Sequence, residues 1–176
     1  MIGILLGGGS GKRMRPLTYA TNKQLLPVYN KPMIYYSLSI LMLAGIKNIV
    51  LVTDQYHLKA YKKLLGNGKK IGIKLSYVIQ KKPNGIPECF NLTKNLIKNK
   101  KVCLLLGDNF FFGQGLIEAM NLGKLMNEGA FFYAYYVKNP SDYAVLNFKG
   151  DKVIDIKEKP KTPKSNYAIP GLYFFD

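Results

Sequence analysis

Directly after the apolar run Ile2 to Leu6 the chain reads Gly7-Gly8-Gly9-Ser10-Gly11-Lys12-Arg13-Met14-Arg15-Pro16. Four glycines in five residues let backbone N–H groups approach an anion without side-chain obstruction. Arg13 and Arg15 are the only arginines in the chain. A guanidinium grips phosphate through two parallel hydrogen bonds, whereas a lysine offers a point charge. The bland alternative is a solvated glycine turn, but a buried-looking strand runs straight into this one. We therefore expect a polyphosphate cradle with Gly8, Gly9, Gly11, Lys12 and Arg13 as candidates. It is neither common nucleotide motif. A P-loop needs glycine where Leu6 stands and Ser or Thr where Arg13 follows Lys12, and the dinucleotide pattern needs glycine where Lys12 stands.

A second candidate is Asp108 in Leu104-Leu105-Leu106-Gly107-Asp108-Asn109, an apolar strand ending in a glycine and a carboxylate. Such a carboxylate offers a hard oxygen ligand to Mg²⁺ beside bound phosphates; alone it reads equally as a turn aspartate. Lys23 follows the loop and Lys159 follows a hairpin, each placed either to reach a phosphate or to sit on the surface. The Gln80 amide donates and accepts in one plane, which suits a base edge, and Gly85 allows close backbone approach. An ordinary turn explains those two as well. The single histidine, His57, falls on an expected helix among lysines, where a partly exposed surface role is a more natural reading than catalysis. No Ser-His-Asp set is evident, and phosphoryl or nucleotidyl transfer needs none, because it relies on alignment and charge neutralisation.

These residues need a scaffold. The runs Ile2–Leu6, Ile49–Thr53, Ile73–Ile79 and Val102–Leu106 read as strands, with helical periodicity between them. Ile34, Leu38, Leu41 and Met42 form one helical face stopping at Gly45; Leu58, Tyr61, Leu64 and Leu65 form another ending at Gly66. Further helices are expected over about 87–98 and 116–127, with Gly129 as the last stop. Phe131 to Val137 reads as one strand, Tyr143–Phe148 and Lys152–Ile156 as a hairpin, and Gly171–Phe175 as a final strand. This is an alternating α/β pattern with a mainly parallel sheet, so the glycine loop, Gln80 and Asp108 converge beyond the strands' carboxyl ends.

At 176 residues the chain is expected to form a single domain. Its nucleotide-binding part would cover about 1–110 and its sugar-phosphate part about 111–176 under the resemblance described below. The net charge of +16 raises nucleic acid as a partner, but the lysines are scattered and no basic helix or aromatic-basic motif occurs, so that reading ranks low. Cys89 and Cys103 are too few for a metal cluster and are expected reduced and buried. The first apolar run is too short for a signal core, and none approaches the ~20 residues of a membrane span. A soluble, cytoplasmic protein with no membrane partner is expected.

The resemblance that sharpens this picture rests on five segments. They are Gly8-Gly9-Ser10-Gly11-x-Arg13, the long run from Lys23-Gln24-Leu25-Leu26-Pro27 through Lys31-Pro32-Met33 to Tyr35-Tyr36, Leu106-Gly107-Asp108-Asn109, Glu158-Lys159-Pro160, and Pro163 to Ala168. Together they resemble the sugar nucleotidyltransferase family, and within it the glucose-1-phosphate thymidylyltransferases. The resemblance implies a three-layer α/β/α Rossmann-like core joining dTTP to glucose 1-phosphate, with dTDP-glucose and pyrophosphate as products. It further implies that Gly8, Gly11 and Arg13 cradle the triphosphate, Lys23 contacts the reacting phosphates, Gln80 and Gly85 read thymine, and Asp108 binds Mg²⁺. Tyr143, Glu158 and Lys159 would surround the sugar phosphate, with Asn109 and Ile169 lining the same pocket.

Family members run to roughly a further hundred residues, and their second metal carboxylate lies in that portion. A C-terminally truncated core is therefore expected, with an uncovered sheet edge that favours a homo-oligomer. Lys12 stands where the family commonly has Thr, Ala144 where it has Gly, and Pro87-Glu88-Cys89 where it has Ala-Gln-Ala. Glu88 adds negative charge near the nucleotide, leaving another pyrimidine nucleotide, another hexose, or a binding module without turnover as alternatives.

Overall fold

A computed structural model describes residues 1–9 and 11–176; Ser10 of the glycine loop lies outside them. The first strands are β1 (Ile2–Leu6), β2 (Pro27–Val28), β3 (Lys31–Pro32), β4 (Asn48–Thr53), β5 (Lys74–Ile79) and β6 (Val102–Leu106). They are followed by β7 (Ala130–Phe132), β8 (Tyr135–Tyr136), β9 (Ala144–Lys149), β10 (Lys152–Glu158), β11 (Tyr167–Ala168) and β12 (Leu172–Phe175). The helices are α1 (Ile34–Leu43), α2 (Leu58–Leu65), α3 (Glu88–Ile97) and α4 (Leu116–Leu125).

The main sheet runs β5-β4-β1-β6-β12-β7. Its first four strands pair in parallel, and β12 runs antiparallel to both neighbours. Alternation along each strand builds a core on both faces. Ile4, Val52, Val102 and Leu104 pack with Cys89 and Phe90 of α3. Leu5, Leu51, Cys103 and Leu105 pack with Leu38 and Leu41 of α1, Tyr61 of α2 and Met120 of α4. Fully burying one such Leu or Ile is worth about 1.5–3 kcal/mol, so this double-sided core holds the sheet while the lysines stay outside. The result is the mainly parallel sheet that the sequence pattern predicts, in the α/β/α arrangement that the resemblance implies.

α4 runs from Leu116 to Leu125, in keeping with the expected span of about 116–127. One expectation needed correction. The expected single strand over 131–137 is two strands in two sheets: β7 closes the main sheet, while β8 joins a four-stranded antiparallel sheet, β10-β9-β11-β8. Phe131 and Tyr133 pack their rings around Phe174, whereas Tyr135 and Tyr136 are exposed. The chain leaves the core between those pairs, at Ala134, a change that the aromatic residues on either side conceal. Both cysteines are free and buried. Burial pushes each thiol up to about 12. No helix among the described residues is long and apolar enough to cross a membrane.

Candidate functional site

The glycine loop leaves β1 and is fixed from beneath by buried polar groups. Gly7 N–H donates to the Val52 carbonyl at 2.8 Å. The Tyr61 hydroxyl lies 2.9 Å from the Gly7 carbonyl and 3.1 Å from Asn22 Oδ1, sharing one proton between them. Asn22 Oδ1 also accepts the Gln24 N–H at 3.0 Å, and Gln24 Nε2 donates to the Gly8 carbonyl at 3.0 Å. Tyr61, Asn22 and Gln24 are 0%, 2% and 4% exposed, so these bonds form where water cannot compete. Burial pushes the Tyr61 phenol far up, and it remains a neutral donor. Gly11 is left-handed with φ 55°, and a Cβ there would meet Thr18 at 2.8 Å.

Asp108 stands at the carboxyl end of β6, two residues past its last member. Gly107 gives it that position: its N–H donates to the Leu6 carbonyl at 2.8 Å, and a Cβ would lie 2.5 Å from the same oxygen. Lys23 Nζ lies 2.8 Å from Asp108 Oδ2, with both side chains about a third exposed or less, at 27% and 30%. The structure thus joins two candidates that the sequence treated separately. Arg13 reaches this junction, whereas Arg15 lies over the Tyr19 ring at 5.1 Å instead.

Three adjoining cavities make one cleft. The first, about 630 Å³, is lined by Gly8, Gly9, Lys23 and Gln80 among others. The second, about 230 Å³, shares Gly8, Gly9 and Lys23 with it and adds Gly11, Lys12, Arg13 and Asp108. The third, about 360 Å³, shares Arg13 and Asp108 and adds Asn109, Tyr143, Glu158, Lys159 and Ile169. All five sugar-side candidates are therefore neighbours in one hollow. Backbone bonds hold them: Lys159 N–H donates to the Tyr143 carbonyl and Ile169 N–H to the Ala144 carbonyl, each at 2.9 Å. Asn109 Nδ2 donates to the Pro170 carbonyl. Lys159 Nζ lies 3.4 Å from Glu158 Oε1 with both side chains exposed.

On the opposite side, Gln80 faces the first cavity, but Gly85 does not line it; its carbonyl sits 3.4 Å from Gln80 Nε2. Sequence reasoning missed the segment after β4. Asp54, Gln55, Tyr56 and His57 all border the first cavity. His57 immediately precedes α2 and is partly buried against Asp54, with Nδ1 2.7 Å from the carboxylate. Burial raises the Asp54 pKa, but the His57 hydrogen bonds outweigh it and the carboxyl ends below its ordinary value. The usable signal was position alone: these residues leave a parallel strand at its carboxyl end.

Asp108 suits a hard cation that keeps water and phosphate oxygens in its shell. It is an ionic partner of Lys23 at the edge of the loop cavity, and Asp142 and Glu158 line the cavity it shares on the other side. No group of three or more His, Cys, Asp or Glu among the described residues forms a ready-made metal cluster. A metal here would rest on one protein carboxylate together with substrate oxygens.

The sequence profile of the Nucleotidyl transferase family matches residues 2–176. Glucose-1-phosphate thymidylyltransferase of Mycolicibacterium smegmatis is 49% identical over 177 aligned residues, covering 100% of this chain and 61% of that protein. The Neisseria meningitidis protein of the same name is 46% identical, covering 100% and 62%. The chain thus spans about three-fifths of the length of these curated relatives. A Bacillus anthracis protein assigned as a glucose-1-phosphate thymidylyltransferase, solved in complex with a sucrose, superposes with a TM-score of 0.93 at 36% identity, covering 100% of this chain and 72% of that one. A UDP-glucose pyrophosphorylase complexed with UDP-glucose shares the fold, with a TM-score of 0.83 at 24% identity over 99% of this chain and 75% of that one.

Proposed function

This chain belongs to the nucleotidyl transferase family, and from that premise we propose that its cleft joins dTTP to glucose 1-phosphate, releasing pyrophosphate and forming dTDP-glucose. The observation that carries the reading is the junction of cavities at Arg13, Lys23 and Asp108, with a glycine loop on one side and Glu158 and Lys159 on the other. The nucleotide part would draw mainly on residues up to about 110 and the sugar part on those after, within one domain.

In this reading Gly8, Gly9, Gly11 and Lys12 cradle the triphosphate, and Gln80, backed by Gly85, meets the base. Lys159 offsets the charge of the sugar phosphate, Glu158 accepts its hydroxyls, and Asn109, Tyr143 and Ile169 shape the pocket. The sugar phosphate is already an anion and needs no general base. Its oxygen attacks the α-phosphorus in line as the bond to pyrophosphate breaks, and Arg13 neutralises the departing charge. Lys23 must exchange its Asp108 partner for a phosphate oxygen during binding. Asp108 would hold Mg²⁺, which when bound supplies positive charge against phosphate oxygens.

Homo-oligomerisation and a cytoplasmic setting are part of the same proposal. All of β10 is exposed, including Val153, Ile154 and Ile156, and an open strand of this kind favours pairing with a second copy. Size-exclusion chromatography over a concentration series should show a dimer or larger; a monomer throughout contradicts it. The activity itself is tested by pyrophosphate release from dTTP with Mg²⁺. Release that depends on glucose 1-phosphate supports the transferase, while tight dTTP binding without release selects the binding module.

A further inference from the structure

Behind the wall of the first cavity, Glu88 opens α3 and grips the residue that faces the base position. Its Oε2 lies 2.6 Å from Gln80 Nε2, and its Oε1 accepts from Asn84 Nδ2 at 3.0 Å. Gln80 lines the cavity but Glu88 does not. An ionised carboxylate only accepts hydrogen bonds, so the Gln80 atom against it must be the amide nitrogen, and the flipped amide would set oxygen against oxygen. The remaining Nε2 hydrogen is directed to the Gly85 carbonyl at 3.4 Å. Both donor positions of Gln80 are thereby occupied outside the cleft. Its Oε1 is left on the loop side, 3.8 Å from where a Gly8 Cβ would stand.

We propose that Glu88 is a positioning residue for base selection: by locking Gln80 with its acceptor oxygen toward the cleft, it admits pyrimidines that present a ring N–H and rejects those that present a bare ring nitrogen. Thymine and uracil carry such an N–H, whereas cytosine sets an acceptor against an acceptor. This rests on the reading of Gln80 as the base contact. The hydrogen bonds from Gln80 and Asn84 hold the Glu88 carboxyl below the usual carboxylate range, which keeps it an acceptor at neutral pH. In Glu88→Ala the amide is free to turn and offer its NH₂ group to the cytosine nitrogen, whereas Glu88→Gln keeps an amide oxygen that can accept from Gln80 Nε2 and hold the lock.

Calorimetric titration of the full chain with dTTP, dCTP and N3-methyl-dTTP, each with Mg²⁺, tests this beside the two variants and their melting temperatures. The wild type should prefer dTTP over both others by about tenfold or more, and that dTTP-to-dCTP ratio should fall about tenfold in Glu88→Ala and be largely kept in Glu88→Gln, at unchanged melting temperature. A purely structural role for Glu88 would move stability or weaken both nucleotides alike, leaving the ratio intact. An unchanged ratio in Glu88→Ala, or an equal fall in both variants, overturns the role of Glu88 as the acceptor that locks Gln80 while leaving Gln80 as base contact. Failure of the wild type to bind dTTP, or equal affinity for N3-methyl-dTTP, overturns the base contact and this inference with it.

Discussion

The two sides of the cleft are built by different means. On the side proposed for the nucleotide, the loop backbone is tied to Tyr61, Asn22 and Gln24, all under 5% exposed, at the ends of parallel strands. On the side proposed for the sugar, Glu158 ends a strand exposed along its whole length and Lys159 follows it, and their mutual ion pair has side chains 69% and 58% exposed. Such a pair contributes only ~0–1 kcal/mol. The nucleotide side should therefore be rigid and coupled to folding, while the sugar side should tune affinity with little effect on stability.

Substitution at the junction should have the largest consequence because both sides need it. Asp108→Asn should lower turnover about 10²–10³-fold, measured as pyrophosphate release; retained activity would remove this carboxylate from the site. Next comes Tyr61→Phe, which removes one buried donor and leaves the Gly7 carbonyl to Thr53 Oγ1 and Asn22 Oδ1 to the Gln24 N–H, and should cost about 0.5–1.5 kcal/mol. Urea unfolding measures that cost, and a neutral result would mean the loop is not anchored from beneath. A smaller and different effect belongs to Glu158→Gln, which should raise the KM for glucose 1-phosphate about fivefold with stability unchanged within ~0.5 kcal/mol. If that variant unfolds as easily as Tyr61→Phe, the contrast between the two sides fails.

The mildest prediction concerns the core beneath both sides. The folded thiols of Cys89 and Cys103 sit at about 12, above their ordinary value of 9.0. Their contribution to stability is therefore complete below about pH 9 and is lost as pH rises toward 12, because the unfolded chain releases those protons first. Native protein at pH 8 should react with a thiol reagent only as fast as it opens, and rapid labelling of either cysteine would contradict its burial.

Much of the nucleotide side was legible because its signals are local. Val102 to Leu106 announces a strand, Gly107 a tight approach and Asp108 a carboxylate at its end, all within a few residues. The anchoring of the loop was not legible: Gln24 and Tyr61 meet it from 16 and 54 positions away, and nothing in their local sequence reports the contact. The pairing of Lys23 with Asp108 spans 85 positions and was hidden for the same reason. Asp54 to His57 carry neither glycine nor periodicity, so only the position of β4 in the sheet reveals them. On the sugar side, β8 and β11 have two residues each, too few to display an alternating pattern. The candidates there came from motif resemblance, with Lys159 also suggested by its place after a hairpin, while their shared hollow emerged only with the second sheet.

A crystal structure of the chain with dTDP-glucose and Mg²⁺ tests most directly whether the halves form one working cleft. The account predicts thymine against Gln80, the diphosphate along Gly8 to Arg13, glucose beside Glu158 and Lys159, and Lys23 drawn off Asp108 beyond the present 2.8 Å. Product bound elsewhere, or bound with Lys23 and Asp108 still paired and the hollow around Glu158 empty, would contradict it.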